Sequence, residues 1–509
     1  MNRRRLYANS IAAVVQVVVA AGLLFELYRF LLRQLGSDQI GAWSLVLAIV
    51  SIASIAEFGI GGSVLRFAAG DLGSGNREKA AATVGLCAAT ASVFVGLSYL
   101  LIAPIAIFIL NRVITDPALL ASALGLLPWA LASVWIGTIG RVMQSALDAC
   151  QRSDLRAGIN LVGAVAQLVT VYHLVPEQGL AGVGPSWVAQ AVVIAVLSMG
   201  AVLLVMKVPV SAWVQGDMVR LRETLRYGRS VQIIAITQMI FDPAVKLLLS
   251  VVDGLSATGL YEVANKAVLQ FRSVIVSAFQ MLVPFMAHRI GGSAITREEM
   301  AQIYKSVQGI LVVLTVPFYA LVAGLLPAFL TLWIGHYDPA FVTLGLICLA
   351  GWAANTLIVS SYMISMATGQ LDWLVRSHLL IGLGSMALGY IAGLMFGGLG
   401  VVTGSMTGLA VGSAIVPIWF HKHYGVSARD FLPASSWPLI IYSLSGAAIL
   451  LVMQVWLGTP HISWWLVTAY GVFALGCAVL VLRHPVTIRL MARKGLPNRP
   501  PEASAGAQS

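Results

Sequence analysis

The sequence has little charge and far more apolar residues than a soluble fold can bury. Only 10% of its 509 residues are charged, against about 25% in a typical soluble domain. Hydrophobic residues make up 59% of the chain, and the mean hydropathy is +0.89. This balance excludes a soluble globular protein and predicts a polytopic membrane protein.

Chemical motifs are also missing. The four cysteines show neither C-x-x-C nor metal-ligand spacing, which is typical of small apolar packing residues. The chain contains no G-x-G-x-x-G followed by an acid, no Walker lysine motif and no H-E-x-x-H. We therefore expect no enzyme activity, no cofactor and no metal site. Without an ATP site, a transporter would depend on an ion gradient, the membrane potential or consumption of its product.

The charge that is present is mostly basic. The formal net charge is +11, which in a soluble protein would suggest nucleic-acid binding. In membrane proteins, however, cytoplasmic loops collect Lys and Arg. We therefore expect no nucleic-acid partner.

Long apolar runs predict fourteen membrane spans, since a span needs about 20 mostly apolar residues. The first run is too long for a signal peptide and lacks an A-x-A site, so it is interpreted as an uncleaved span. All spans should be helices, because only helices and closed barrels satisfy backbone polar groups in lipid. The spans are 9–32, 42–65, 81–110, 119–147, 157–176, 181–206, 230–251, 259–287, 305–333, 341–367, 373–395, 398–420, 438–457 and 463–482.

Basic residues alternate from loop to loop along these spans. With a cytoplasmic N-terminus, the inside loops and termini carry 24 Lys and Arg residues, and the outside loops carry only Arg33 and Arg112. This bias follows the positive-inside rule. It predicts that both termini are cytoplasmic.

The two halves of the chain repeat each other. The loop GSGNREKAA at 73–81 returns as GSAITREEMA at 292–301, and the Arg-Glu pairs in the two loops differ by 220 in sequence number. Gln151 and Gln370 differ by 219, as do Gly179 and Gly398 at the start of two similar segments. Each copy holds six spans, so the copies share one orientation. The sequence predicts two parallel six-helix repeats around a central cavity, plus two extra C-terminal helices.

The predicted organisation has five parts. An N-terminal six-helix lobe (1–206) leads through a cytoplasmic amphipathic linker (207–229) into a second six-helix lobe (230–424). In the linker, Val219, Leu221 and Leu225 would contact the membrane surface. Helices 13 and 14 (438–482) precede a basic, partly disordered cytoplasmic tail (483–509).

Ionisable residues inside spans are costly and mark functional sites. Asp242 and Lys246 are four residues apart, so they share a helix face and can pair, and Pro243 between them loosens the helix. Glu26 and Arg29 are spaced similarly in span one. Arg29 and Lys246 also precede Gly41 and Gly259 at nearly equal spacing, with sequence numbers that differ by 12 and by 13, and each glycine opens a Gly-x-aromatic turn. The spacing predicts a repeated acid–base pair on two helices that face the cavity.

The remaining intramembrane charges leave a basic surplus. Arg141, Lys266 and Arg272 join Arg29 and Lys246 as candidate ligands for an anionic headgroup such as a pyrophosphate. Lys266 is the most ordinary of the five, since Glu262 precedes it by four residues. The simpler alternative is that these pairs neutralise each other and hold the bundle. Glu57 is an isolated acid that would serve either as a coupling-ion site or as a partner of Arg66.

Two segments, one in each half of the chain, are similar to a known family. The segment from Leu35 to Ala69 resembles the opening signature of polysaccharide flippases of the multidrug/oligosaccharidyl-lipid/polysaccharide (MOP) exporter superfamily. The second half has a similar Gly-x-Tyr-x-x-Ala pattern. The residues that carry the resemblance are Leu35-Gly36, Gly41-Ala42-Trp43, Glu57-Phe58-Gly59, Arg66, and Gly259-Leu260-Tyr261 with Ala264.

The resemblance implies a flippase that works by alternating access in the bacterial inner membrane. Its substrate would be an undecaprenyl-pyrophosphate-linked oligosaccharide, for O-antigen, exopolysaccharide or lipopolysaccharide biosynthesis. Its partners would be that glycan lipid, the bilayer, and a polysaccharide polymerase or other proteins of the synthesis complex. A cation-coupled multidrug or metabolite exporter of the same superfamily is the alternative. A peptidoglycan-precursor flippase and a scaffold for a synthase complex are further options.

Overall fold

The fold is built from helices, as predicted. The computed structural model describes residues 3–52, 60–215, 217–239, 241–280, 296–456 and 464–494, and all fourteen predicted spans contain helix. The helices are α1 (Arg3–Ser51), α2 (Ile60–Gly73), α3 (Arg77–Val113), α4 (Pro117–Ala149), α5 (Ser153–Gln178), α6 (Val183–Met206), α7 (Met218–Met239), α8 (Phe241–Val252), α9 (Gly254–Gln280), α10 (Arg297–Ile334), α11 (Pro339–Thr356), α12 (Val359–Thr368), α13 (Asp372–Tyr424), α14 (Trp437–Trp456), α15 (Trp464–Arg483) and α16 (Pro485–Lys494).

Helix boundaries follow local chemistry. Asn76 caps α3 by accepting from the Lys79 N–H at 3.0 Å, and Asp116 caps α4 by accepting from the Ala118 N–H at 2.8 Å. Pro117 occupies the first turn of α4, where its missing N–H costs nothing. Within the described residues, eight helical segments are long and apolar enough to cross a membrane by length and composition.

Two of the long helices join neighbouring predicted spans at a glycine: α1 holds span 1 and the first part of span 2, and α13 holds spans 11 and 12. In α1 the kink lies at Gly36, with φ +75°, and in α13 it lies at Gly397, with φ +61°. Both values fall in the left-handed region that glycine enters without a Cβ clash. The connections between spans 1 and 2 and between spans 11 and 12 are therefore sharp bends of a nearly continuous helix.

These bends reveal the register of the internal repeat. Positive φ angles recur in pairs whose sequence numbers differ by 218: Gly36 with Gly254, Gln151 with Gly369, and Gly179 with Gly397. The repeat is confirmed, and its offset is smaller by one or two than the 219 and 220 expected from the loops. The segments at 179 and 397 then align without a gap.

The described chain divides into two compact units. The first comprises Met1–Val274, Leu330–Asn355 and Gln370–Ile415. Its first half has a core in which α2, α3, α4, α5 and α6 contribute buried side chains such as Val64, Val84 and Leu147. This core leaves α1 to pack against α4, α5 and α8.

The linker is more closely attached than an isolated surface helix. Its helix α7 begins at Met218 and continues to Met239, across the predicted boundary between linker and span seven at 229. Arg220 forms a bidentate ion pair with the largely buried Asp71 of α2 at 2.8 and 2.9 Å. Ser63 of α2 also donates to the Thr224 carbonyl at 3.0 Å. Val219 is exposed, whereas Leu225 is partly buried.

The second unit comprises Ile275–Phe329, Thr356–Gly369 and Val416–Ser509. Here α14 and α15 pack on α10 through a core that includes Leu450 and Phe473. The buried Gln454 of α14 accepts from the Ala328 N–H at 3.1 Å and donates to the Gly324 carbonyl at 2.7 Å. Residues 324 and 328 are one helical turn apart, so this amide stands in for a backbone hydrogen bond of α10 next to Pro327.

Replacing Gln454 with leucine is expected to lower the stability of this unit by about 2–3 kcal/mol, because a buried donor and a buried acceptor lose their partner. The check is the midpoint of thermal unfolding of the purified chain in detergent. Ser445→Leu, on an exposed position of the same helix, is the matched control and should leave the midpoint unchanged. Equal midpoints for both variants would contradict the assigned role of Gln454.

Candidate functional site

A buried ion cluster lies where α8 and α9 meet. The Lys246 ammonium lies 2.6 Å from Asp242 and 2.7 Å from Glu262. The Asp242–Lys246 pair expected from the four-residue spacing is therefore confirmed. The side chains of Lys246 and Glu262 are only 3% and 1% exposed, and that of Asp242 is 36% exposed. Such charges are tolerated in an interior only when they are paired and hydrogen-bonded.

Glu262 is the centre of this cluster. Besides Lys246, it accepts hydrogen bonds from the Tyr28 hydroxyl at 2.7 Å and the Ser44 hydroxyl at 3.1 Å. Lys266 is more distant, at 3.8 Å. The Glu262–Lys266 pair that the four-residue spacing indicates is therefore present but loose, and Glu262 is buried, not at the surface. Because Tyr28 and Ser44 belong to α1, the carboxylate ties the first repeat to the second.

The repeat register explains which residues meet. With an offset of 218, Tyr28 is the counterpart of Lys246, and Ser44 is the counterpart of Glu262. The four side chains that cluster are thus two equivalent pairs, as expected close to a pseudo-two-fold axis. The sequence-based pairing of Arg29 with Lys246 is wrong by one residue, since Tyr28 precedes Gly41 at the same spacing as Lys246 precedes Gly259. The Asp242–Lys246 pair therefore has no acid–base pair at the corresponding positions of the first repeat.

The neighbouring junction of α1 and α9 shows the same symmetry. A Cβ on Gly41 would lie 1.9 Å from the Leu255 carbonyl oxygen, and a Cβ on Gly259 would lie 2.0 Å from the Ser37 carbonyl oxygen. These two contacts exchange under the offset of 218. The Ser37 and Ser256 hydroxyls also approach to 2.6 Å. Only glycine permits this close approach of the two backbones.

Arg272 of α9 is held by an aromatic and an amide side chain. Its guanidinium lies 4.9 Å from the Trp352 ring centroid and donates to the Asn355 side-chain oxygen at 2.8 Å. The Trp352 N–H donates to Asn265 at 2.8 Å, and the Asn265 amide donates to Asp242 at 3.3 Å. A chain of side-chain contacts therefore connects Arg272 to the buried ion cluster.

Glu26 and Arg29 form a separate pair on α1. Their nearest charged atoms are 3.7 Å apart, and both side chains are about two-fifths exposed, so the predicted pairing is present but loose. The Tyr172 hydroxyl of α5 donates to Glu26 at 2.5 Å, and its ring stacks on Phe30. One turn before Arg29, Phe25 packs on Phe271 with ring centroids 6.2 Å apart. That contact joins α1 to α9 one residue before Arg272.

The remaining predicted site residues lie elsewhere. Arg141 of α4 is exposed and donates to Thr138 at 3.0 Å, within its own helix. Lys266 is 33% exposed at the edge of the buried cluster. Glu57 lies outside the described residues.

A cavity of about 260 Å³ lies beside the ion cluster and has an almost entirely apolar lining. Its lining includes Leu45 and Ile49 of α1 with Pro243 and Leu247 of α8. In the part of the chain that the structure describes, none of the five predicted basic residues lines it. This cavity therefore does not bring the predicted cations together on its walls.

Sequence reasoning missed Glu262, Tyr28, Ser44, Asn265 and Trp352 as members of the network. A usable signal for the first three was the spacing of the turn glycines. Gly36 and Gly41 recur as Gly254 and Gly259, at an offset of 218. This offset aligns Tyr28 with Lys246 and Ser44 with Glu262. Asn265 and Trp352 have no comparable sequence signal.

Comparison with known proteins supports the transporter fold. The MatE family model matches residues 13–173, and no curated protein matches the chain in sequence. An inward closed structure of the lipid II flippase MurJ superposes with a TM-score of 0.70 at 12% identity, covering 95% of this chain and 99% of the other.

Two further structures are similar. An inward-facing multidrug resistance MATE family transporter gives a TM-score of 0.66 at 12% identity, over 81% of this chain and 98% of the other. A MOP superfamily transporter from Pyrococcus furiosus gives 0.56 at 14% identity, over 82% and 95%. At these identities the likeness concerns the fold. The chain thus matches the MatE family model from α1 into α5 and has the fold of MOP-superfamily transporters.

Proposed function

We propose that the chain is a flippase that moves undecaprenyl-pyrophosphate-linked oligosaccharide across the bacterial inner membrane by alternating access. The observation that carries this proposal is the extent of the fold match. The lipid II flippase structure covers 95% of the chain, whereas the inward-facing MATE structure covers 81%. The likeness to the lipid II flippase structure thus extends over nearly the whole chain, which supports a lipid-linked substrate.

The headgroup would bind chiefly to Arg272 and Arg29. A guanidinium binds phosphate oxygens with a planar fork of N–H donors. Stacking on Trp352 and the hydrogen bond to Asn355 hold the Arg272 fork in one orientation. Phe25 and Phe271, which pack together, place Arg29 on a neighbouring helix face. Two arginines on facing helices suit the two phosphates of a pyrophosphate.

The other candidate residues have supporting roles in this proposal. Lys246 and Lys266 add positive potential, reduced by the Asp242 and Glu262 carboxylates that they contact. Arg141 would contact the glycan or headgroup when the cavity opens. Glu26 would compete for Arg29 and release it to the ligand, while Glu57 remains a candidate coupling site.

The direction of transport follows from the membrane potential. Moving an anion out of the cytoplasm is favoured by about 2.3 kcal/mol per charge per 100 mV. The proposed orientation places both termini in the cytoplasm, so the headgroup would enter from that side. A polysaccharide polymerase or another member of the synthesis complex would then consume the exported glycan lipid.

The test is reconstitution of the full chain in vesicles that carry undecaprenyl-pyrophosphate-linked oligosaccharide. A membrane-impermeant glycosidase reports the fraction of glycan that crosses the bilayer. Arg272→Ala is expected to lower the initial rate about 10- to 100-fold, because a charge-assisted bidentate contact is worth roughly 1.5–3 kcal/mol. Arg112→Ala, at the end of α3, is the matched control and should transport at the wild-type rate. Equal rates for both variants would reject the site.

The MatE match favours a second candidate, a cation-coupled exporter of drugs or metabolites. The same vesicles, loaded with a cationic dye under a sodium or proton gradient, distinguish the two functions. Gradient-dependent dye efflux without glycan movement would replace the flippase proposal. Vesicles that carry the peptidoglycan precursor lipid II, assayed in parallel, show which lipid-linked glycan is preferred.

A further inference from the structure

We propose that the Lys246 ammonium is a built-in cation that occupies, between Asp242 and Glu262, the position that a free coupling cation would otherwise take. The junction between the two repeats would then close without binding an ion from solution. This inference concerns the driving force of the transporter. It does not depend on which lipid or drug the protein carries.

The geometry places one positive charge between carboxylates on two helices. The ammonium lies within 2.7 Å of both Asp242 on α8 and Glu262 on α9. Glu262 also accepts from Tyr28 and Ser44 on α1. A single charge thus joins the seventh and eighth spans to the first and second, as a bound cation would.

The groups around Lys246 are those that a free cation would choose. Hard cations prefer carboxylate, hydroxyl and carbonyl oxygens. Without the Lys246 amine, the site would offer the oxygens of Asp242, Glu262, Tyr28 and Ser44. Glu262 is buried and Asp242 is partly exposed, and two neighbouring carboxylates repel each other when the charge between them is removed. We therefore expect the vacancy to take up either a small cation or a proton.

Four other titratable groups lie near the site. They are Lys266 and Tyr261 on α9, Tyr28 on α1 and Cys348 on α11. Lys266 is the only cation among these four. It lies 3.8 Å from Glu262 and is 33% exposed, so it compensates only part of a missing Lys246 charge. The two tyrosines and the cysteine are neutral near pH 7.

The experiment measures the thermal unfolding midpoint of the purified full chain in detergent, with sodium exchanged for choline at constant ionic strength and with the pH varied. The wild-type midpoint is expected to be the same in both salts. Lys246→Ala is expected to be destabilised in choline, and sodium or a lower pH should raise its midpoint by about 2–4 °C or more. Should this variant aggregate, Lys246→Gln keeps a donor without the charge and takes its place.

Two control variants test whether the effect comes from the positive charge at position 246. Lys246→Arg keeps a cation at the site and should remain insensitive to sodium. Lys266→Ala removes the neighbouring, partly exposed cation and should also remain insensitive. A sodium-specific rise in the wild-type midpoint that Glu262→Gln abolishes would overturn the proposal, because a free cation would then share the site with Lys246. A folded Lys246→Ala protein that responds to neither sodium nor pH would overturn it as well.

Discussion

Glu262→Leu is expected to be among the most destabilising single substitutions in this protein, with a loss of about 3–5 kcal/mol. The variant leaves the Tyr28 and Ser44 hydroxyls without their acceptor and removes one of the two carboxylates beside the Lys246 ammonium. Each of these groups is buried, so water cannot readily replace the lost partner. The desolvation of Lys246 is then balanced by Asp242 alone.

The measurement is the midpoint of thermal unfolding in detergent, and the matched control is Glu223→Leu. Glu223 is also paired with an arginine, at 3.3 Å, but its side chain is 52% exposed, and exposed pairs contribute at most about 1 kcal/mol. Combining Glu262→Leu with Lys246→Met removes both buried charges and should recover part of the loss, since an apolar replacement of a whole buried pair is often neutral. A double variant less stable than Glu262→Leu would contradict this account.

The general architecture was predictable because bilayer constraints act on long stretches of sequence. Fourteen apolar runs predicted fourteen helical spans, and loop motifs predicted the repeat. The Asp242–Lys246 and Glu26–Arg29 pairs followed from helical spacing alone, and the structure contains both. These features depend on residues close together in the chain or on average hydropathy, so tertiary contacts do not alter them.

Predicting which residues form the ion cluster requires the exact offset between the two repeats. The loop motifs gave 219 and 220, whereas the structure gives 218. Loops tolerate insertions, so loop motifs fix the offset only approximately. Because two glycines stand at 397 and 398, the sequence comparison matched Gly179 with Gly398 and not with Gly397. In a helix, one residue of error turns a side chain by about 100° around the axis. That rotation separates Tyr28, which contacts Glu262, from Arg29, which pairs with Glu26. The turn glycines give the offset that aligns Tyr28 with Lys246 and Ser44 with Glu262. The contacts of Glu262 themselves follow from how α1 and α9 pack, which no local pattern encodes.

The glycine junction and the ion cluster act on the same pair of helices. Ser37 and Gly41 precede Ser44 on α1, and Ser256 and Gly259 precede Glu262 on α9. Close approach of the backbones at the glycines is therefore what allows Ser44 to reach Glu262 across the junction. If the two repeats rock against each other, as the proposed transport cycle requires, both sets of contacts must form and break together.

Gly41→Ala is consequently expected to lower the population of the closed junction about 100-fold. Its new Cβ would lie 1.9 Å from the Leu255 carbonyl oxygen. This oxygen belongs to the backbone, so it cannot move away by a change of side-chain rotamer. Overpacking of this kind costs about 3 kcal/mol, and each 1.4 kcal/mol changes an equilibrium tenfold. Gly259→Ala should have the same effect, because its Cβ would lie 2.0 Å from the Ser37 carbonyl oxygen.

Disulfide cross-linking between Ser37→Cys and Ser256→Cys measures this closed population, because the two hydroxyls are 2.6 Å apart in the structure and a disulfide requires close approach of both residues. The native cysteines are free thiols and are replaced by alanine beforehand. The cross-linking rate should fall about 100-fold with either glycine variant. Gly22→Ala on the same helix α1, where a Cβ meets nothing within 4 Å, should leave the rate unchanged. Equal rates in Gly41→Ala and Gly22→Ala would show that the repeats do not close through this contact.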